Sequence, residues 1–418
     1  MRIQFLYLAA PTILAVGLVA CSEPQNTSVN NSVSIQSNES AMSEKSDFST
    51  EATNPFLEES PLILNYPQFD LIQTVHYLPA FQRGMADQLA EVEAIANQGE
   101  EPDFENTIIA LELSGQLLDR VSRVFFSMSS AHTNDEIRSL QQQLAPQLAA
   151  HSDAILLNRA LFARIQTLFD QRQVLPLEPE ALRLLEQYRL DFVRAGAALT
   201  EAEQDRMREI NAEMATLQTR FSQNVLSEVN DLAIVVDTEE EMAGIDEALK
   251  QAASEEAAER GLPGKYVIPL LNTSGQPALA SLQNRSVRQR IFETSLSRGS
   301  RGGDFDNRDV LSKVLSLRAE RSALLGFANH AEFILANQTA QTVEAVNQRL
   351  AELAAPAVAN VRREANDLQA LIESEGDDFQ LAAWDWDFYT EKLRAKRFNF
   401  DANQLRPYFE LDNVLNRG

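Results

Sequence analysis

Cysteine is almost missing from this sequence. The one residue present, Cys21, allows no disulfide within the chain, and the same count excludes zinc sites built from four cysteines or from two cysteines and two histidines. Histidine is scarce as well: His76, His132, His151 and His330 are the whole supply, and no two lie within ten positions of each other. A helix that binds hydrolytic zinc presents imidazoles at i and i+4, as in H-E-x-x-H, and this chain has no such pair. His330 and Glu332 make an H-x-E, but the P-C-x-x-C that completes a zinc deaminase motif is absent. Each histidine therefore reads as an ordinary cap, surface or packing residue. The G-x-S-x-G elbow, the G-x-x-x-x-G-K-[ST] loop and a G-x-G-x-x-G after a strand are missing too. Residue by residue, the chain offers no catalytic and no metal-ligating candidate. Positive charge is also short: 36 Lys and Arg stand against 61 Asp and Glu, for a net charge of -25. Such a surface repels phosphate backbones and excludes nucleic acid as a partner. The acidity suits solubility, or a mild preference for cationic peptides.

What is present is apolar enough to fold. Of the 418 residues 44% are hydrophobic, with only 15 Gly and 15 Pro, which fits a globular chain of two or three domains. Arg2 precedes an apolar run from Ile3 to Ala20 that ends in Leu18-Val19-Ala20-Cys21. A basic start, an apolar stretch and small residues before a cut site describe a secretory signal over 1–20. The site resembles a bacterial lipobox, with Cys21 acylated to become the mature N-terminus. Ser22 behind it suggests sorting to the outer membrane, on its periplasmic side. The other reading is an uncleaved N-terminal membrane anchor, because about 18 apolar residues can just span a bilayer. Either places the body outside the cytoplasm. From Cys21 to Thr53 the chain is rich in Ser, Asn, Thr, Gln and Glu, too polar to offset the entropy of ordering, and reads as a disordered tether.

The folded body begins at Asn54-Pro55-Phe56 and is mainly helical by its periodicity. Met207, Ile210, Met214, Leu217, Phe221 and Val225 recur at spacings of three and four, behind a Thr200/Glu203 capping box. A second stripe runs through Val343, Val346, Leu350, Leu353, Ala357 and Val361, with Pro356 predicting a kink or break inside it. Shorter helices are expected over 107–130, 180–193 and 308–325. Strand signals are confined to Leu232–Asp237 and to a hairpin in which Tyr266–Leu271 turns at Asn272–Gly275 into Gln276–Leu282, with Pro269 favouring an edge. Arg298–Gly303 is Gly- and Arg-rich and reads as a solvated loop or an anion holder. Glu239–Glu241, with Asp246 and Glu247, is a solvated face or helix start, since the D-x-D-x-D-G calcium pattern is absent.

Several stretches are similar, in order and spacing, to the thimet-oligopeptidase and peptidyl-dipeptidase family of zinc metallopeptidases. They are Asn54-Pro55-Phe56, Asp103–Glu112 (DFENTIIALE), Asn284–Phe292 (NRSVRQRIF), Leu317–Phe333 (LRAERSALLGFANHAEF), Trp384–Leu393 (WDWDFYTEKL) and Pro407–Leu415 (PYFELDNVL). The resemblance covers Asn54 to the end and is nearest to the bacterial peptidyl-dipeptidases. It implies an almost wholly helical fold in which two lobes flank a channel for short peptides, and residues 54–418 would form the N-terminal lobe with one small β-hairpin or sheet element. It implies zinc in the complete protein, held by H-E-x-x-H and a later glutamate, where lowering the pKa of bound water supplies the nucleophile. None of those residues has a counterpart up to Gly418. The expectation is accordingly an N-terminal portion of a lipid-anchored zinc peptidase, inactive alone and binding no zinc itself, with apolar surface exposed where a C-terminal catalytic half would pack. Such a patch promotes aggregation. Two alternatives stand beside it: a non-catalytic envelope lipoprotein that binds peptides or a partner protein, and a split enzyme completed by a second chain.

Overall fold

The computed structural model describes residues 54–273, 275–399, 405 and 408–417. The signal segment 1–20, the tether 21–53 and Cys21 lie outside the described residues. What is described is mainly α, with one two-stranded sheet. The chain divides into two units at Ala215/Thr216.

The first unit contains α1 (Thr74–Asn97), α2 (Gln116–Ala131), α3 (Asp135–Leu156), α4 (Arg159–Gln171), α5 (Pro179–Ala195) and the start of α6 (Glu201–Asp231). Their ends follow from the sequence. Asn134 and Asn158 accept hydrogen bonds from the backbone of Ile137 (2.8 Å) and Leu161 (3.0 Å), and Pro179 occupies the first turn of α5, where its missing N–H costs nothing. The Thr200/Glu203 box forms at the head of α6, the Thr200 N–H donating to Glu203 at 2.9 Å. Two apolar cores fill this unit. One gathers Phe56, Tyr77, Phe81, Val121, Phe125 and Leu144; the other gathers Ile108, Leu111, Leu161, Ile165, Leu185 and Phe192. Phe81 meets Phe125 edge-on, with centroids 5.4 Å apart at 89°. α1 and α2 approach closely at Gly84, where a Cβ would lie 2.9 Å from the Leu118 backbone.

The helix expected over 107–130 is interrupted. A π-type turn at Phe104–Ile109 passes into one α turn at Ala110–Glu112, and α2 begins only at Gln116. Gly115 between them has φ +74° and donates its N–H to Glu91 at 2.7 Å, so the break is fixed by a left-handed glycine with its own side-chain acceptor.

The second unit holds β1 (Ile234–Val236), α7 (Glu247–Glu259), β2 (Tyr266–Ile268), α8 (Ala278–Ser281), α9 (Arg285–Leu296), α10 (Arg308–Leu324), α11 (His330–Leu335), α12 (Val343–Ser374), α13 (Trp386–Phe398) and α14 (Leu411–Arg417). The strand signal at 232–237 is β1, but the expected hairpin does not form. β2 pairs antiparallel with β1, Val235 opposite Val267, across the whole α7 excursion. Pro269 ends β2 because it has no N–H to give a ladder, and the supposed return strand is instead α8, led in by Pro277. The intervening backbone is closed by one side chain. Gln276 accepts from the Leu271 N–H (3.0 Å) and donates to the Leu271 (3.0 Å) and Thr273 (3.2 Å) carbonyls. α12 runs unbroken through Pro356, which forfeits one backbone hydrogen bond without ending the helix. Val236, Leu270, Leu282, Val287 and Ile291 form one core of this unit, and Leu368, Leu371, Ile372 and Tyr389 a smaller one.

Candidate functional site

The histidines are spread over separate elements, each with a local role. His76 sits in the first turn of α1, its Nδ1 accepting from the Gln73 N–H at 3.0 Å. His132 is the exposed residue that closes α2. His151 is buried in α3, with Nε2 2.7 Å from Gln88 Oε1 and Nδ1 without a hydrogen-bond partner. That contact makes Nε2 the protonated nitrogen, and burial pulls the pKa down to about 4, so the ring is neutral. His330 opens α11 against Phe333, and burial, then the charges of Arg318 and Arg321, lowers its pKa. The Glu332 of the H-x-E is occupied with Asn329. Asn329 Oδ1 caps the Glu332 N–H at 3.0 Å, while Glu332 accepts from Asn329 Nδ2 (3.2 Å) and from the Ala328 N–H (3.2 Å). Zinc, the metal implied by the resemblance, does not fit these residues. Among the described residues no group of three or more His, Cys, Asp or Glu is placed to hold a metal ion.

The Arg298–Gly303 loop borders a cavity of about 620 Å³ in the second unit, lined by Leu217, Arg220, Gly303, Asp306, Arg308, Asp309 and Val310. Its chemistry is not that of an anion site. Arg298 is spent on backbone carbonyls, reaching Ser295 (2.9 Å), Leu271 (2.9 Å) and Thr273 (2.8 Å). Arg308 lies 2.6 Å from Asp306, whose carboxyl also accepts the Gly302 N–H at 2.7 Å. The Arg308 side chain, then the Arg308 and Gly302 N–H groups, hold that carboxyl far below the usual carboxylate range. The Gly299 N–H turns towards the Glu228 carboxylate. An arriving anion would meet the carboxylates of Asp306 and Asp309 in the same lining.

The residues that carry the family resemblance serve the framework. Asn106 of DFENTI exchanges capping hydrogen bonds with Asp103 (2.6 and 3.0 Å) and accepts from the buried Arg164 at 2.7 Å, while Arg164 also reaches the Glu100 carbonyl at 3.0 Å. In the second unit Asp385 is fully buried and binds two arginines of α9. Arg285 contacts it at 2.8 Å and Arg288 at 2.8 Å, and Arg288, 1% exposed, also donates to the Leu282 (2.8 Å) and Gln283 (2.9 Å) carbonyls. Phe379 and Phe388 cover the two guanidiniums at 4.3 and 4.2 Å. Burial works to raise the Asp385 pKa, but hydrogen bonds from Arg285, Arg288 and the Ala382 N–H outweigh it and hold it low. This cluster fastens the WDWDF stretch to the NRSVRQRIF stretch. No sequence signal announces it beyond two arginines at i and i+3, because the partners are 97 and 100 positions apart.

Residues 278–418 match the sequence profile of Peptidase family M3. The dipeptidyl carboxypeptidase of Escherichia coli (strain K12) is 41% identical over 365 residues, covering 87% of this chain and 54% of that protein. The dipeptidyl carboxypeptidase of Salmonella typhimurium is 41% identical over 367 residues, with 88% and 54% covered. Oligopeptidase A of Haemophilus influenzae is 29% identical over 369 residues, with 87% and 53% covered. The chain spans about half the length of the curated relatives it matches. Among the described residues no helix is long and apolar enough to cross a membrane.

Proposed function

Starting from a chain that belongs to peptidase family M3, the group of thimet oligopeptidases and peptidyl-dipeptidases, we propose that it forms the N-terminal helical part of a zinc peptidase that hydrolyses short peptides. The observation that carries this is the 41% identity to two bacterial dipeptidyl carboxypeptidases, against 29% to an oligopeptidase A, which favours the peptidyl-dipeptidase type of cleavage. The zinc ligands belong to sequence outside residues 1–418, and these residues by themselves cut nothing. Their share is the scaffold beside which peptides enter. The signal-like run ending at Cys21 supports lipid anchoring in the cell envelope, with the outer membrane favoured.

The test begins with the native protein, extracted from membranes of the source organism and weighed by intact mass spectrometry. The expected species is much larger than residues 21–418 plus lipid, cleaves dipeptides from short substrates, and stops when a chelator removes zinc. A lipidated species of residues 21–418 that cleaves peptides unaided would overturn the assignment. One that binds peptides without turnover would replace the peptidase with a binding lipoprotein.

A further inference from the structure

The cavity of about 620 Å³ at the start of α10 carries charges of both signs, and only some of them are spent. Arg308 and Asp306 pair at 2.6 Å, and the Gly302 and Arg308 N–H groups donate to the same carboxylate at 2.7 and 2.9 Å. That pair is a neutral wall. Arg220 and Asp309 differ from it. Both are exposed and line the cavity, and neither side chain enters a hydrogen bond or ion pair among the described residues. Leu217, one turn before Arg220 on the same face of α6, and the buried Val310 add apolar lining beside them. Asn307 fixes the arrangement. At 3% exposed, it donates from Nδ2 to the Phe221 carbonyl (3.1 Å) and accepts from Asn224 Nδ2 (2.9 Å). The first turn of α10 is thereby fastened to α6 directly after Arg220, and side chains held on two joined helices keep their spacing when a ligand arrives.

We propose that this cavity binds a small zwitterion, an α-amino acid or a short peptide with both ends unblocked, its carboxylate on Arg220 and its ammonium on Asp309. The lining selects for both signs at once. A simple anion meets two carboxylates there and a simple cation two guanidiniums, whereas a ligand of both signs satisfies the two unspent groups and adds no net charge. The volume lies within the range of about 300–1,000 Å³ that small ligands occupy, and a few placed polar groups beside apolar walls are what orients such a ligand. Binding here requires neither zinc nor cleavage and stands independently of the peptidase reading.

The experiment is isothermal titration calorimetry of the 418-residue chain in detergent, with alanine, Ala-Ala, N-acetyl-Ala-Ala and Ala-Ala amide as the probes. Alanine or Ala-Ala should bind with a dissociation constant of about 1 mM or tighter. Whichever of the two binds more tightly reports the spacing of the charges, and either supports the proposal. Blocking one end of the peptide should weaken binding at least about tenfold, as loss of one charged hydrogen-bond partner does. Arg220→Gln and Asp309→Asn should each produce the same loss, and both should leave the melting of the chain unchanged because the side chains are exposed. No heat from either zwitterion up to about 10 mM overturns the proposal. Blocked peptides that bind as well as Ala-Ala overturn it too, since the contact is then blind to charge. A loss in one variant alone does the same, because the cavity would then read one sign and not two. The readout is binding, so a failed titration leaves the peptidase reading standing, and a chain that cuts no peptide leaves this site standing.

Discussion

Asp385 is the residue whose removal should be felt most. Among the described residues it is the carboxylate that meets Arg288, which is 1% exposed, and truncating one member of a buried pair leaves the other charge stranded. Asp385→Ala should lower stability by about 3–5 kcal/mol in urea unfolding. A loss below about 1 kcal/mol would mean that Arg288 finds water in the variant. His151 sets a pH dependence of definite sign. Its folded pKa is pulled down by burial to about 4, against 6.5 for the free side chain. The unfolded chain therefore binds the extra proton first, and stability should fall as pH drops from about 6.5 towards 4, by roughly 3 kcal/mol in all. His151→Gln should flatten that stretch of a urea-midpoint profile; an unchanged slope would assign the dependence to other groups. At this scale the sequence is legible where partners are local. Thr200 with Glu203 shows itself at three residues' distance, whereas Arg288 and Asp385 are 97 positions apart and nothing in either segment names the other.

At the scale of elements, Gly84 tests how tightly two helices are held. Alanine favours a helix over glycine by about 1 kcal/mol, yet the new Cβ would stand 2.9 Å from the backbone of Leu118, which cannot swing aside as a side chain would. Overpacking of this kind costs about 1–3 kcal/mol, so Gly84→Ala should destabilise on balance. A variant that melts higher than the parent would show that α1 and α2 can separate without loss. The helices were legible because the long stripes at 207–225 and 343–361 repeat at helical spacing whatever surrounds them. The expected hairpin does not form, for the opposite reason. Tyr266–Ile268 is a genuine strand, but its partner lies upstream at Ile234–Val236, and an apolar run alone says nothing about which strand it will meet. The break before α2 was hidden because DFENTIIALE and the residues after Gly115 share one apolar rhythm. The glycine's left-handed geometry shows only once Gln88 and Glu91 surround it.

For the whole molecule, family and fold class could be read from helical periodicity and the order of six short stretches, while a catalytic centre could not be, since the sequence contains no H-E-x-x-H or other recognised catalytic motif. The net charge of -25 spreads repulsion over the surface and leaves cohesion to separate apolar cores within each unit. The small sheet has a consequence for synthesis. Val236 is the last residue of β1 and Ile268 the last of β2, so 32 further residues must be made before the pair can close. At about 5–20 residues per second that is roughly two to six seconds. Throughout that interval Ile234-Val235-Val236 is a nascent β-branched segment with open hydrogen-bonding edges. The core it belongs to waits longer still, until Val287 and Ile291 have left the ribosome. The earliest strand of the second unit is thus secured only after more than fifty residues that follow it, up to Ile291, have been made.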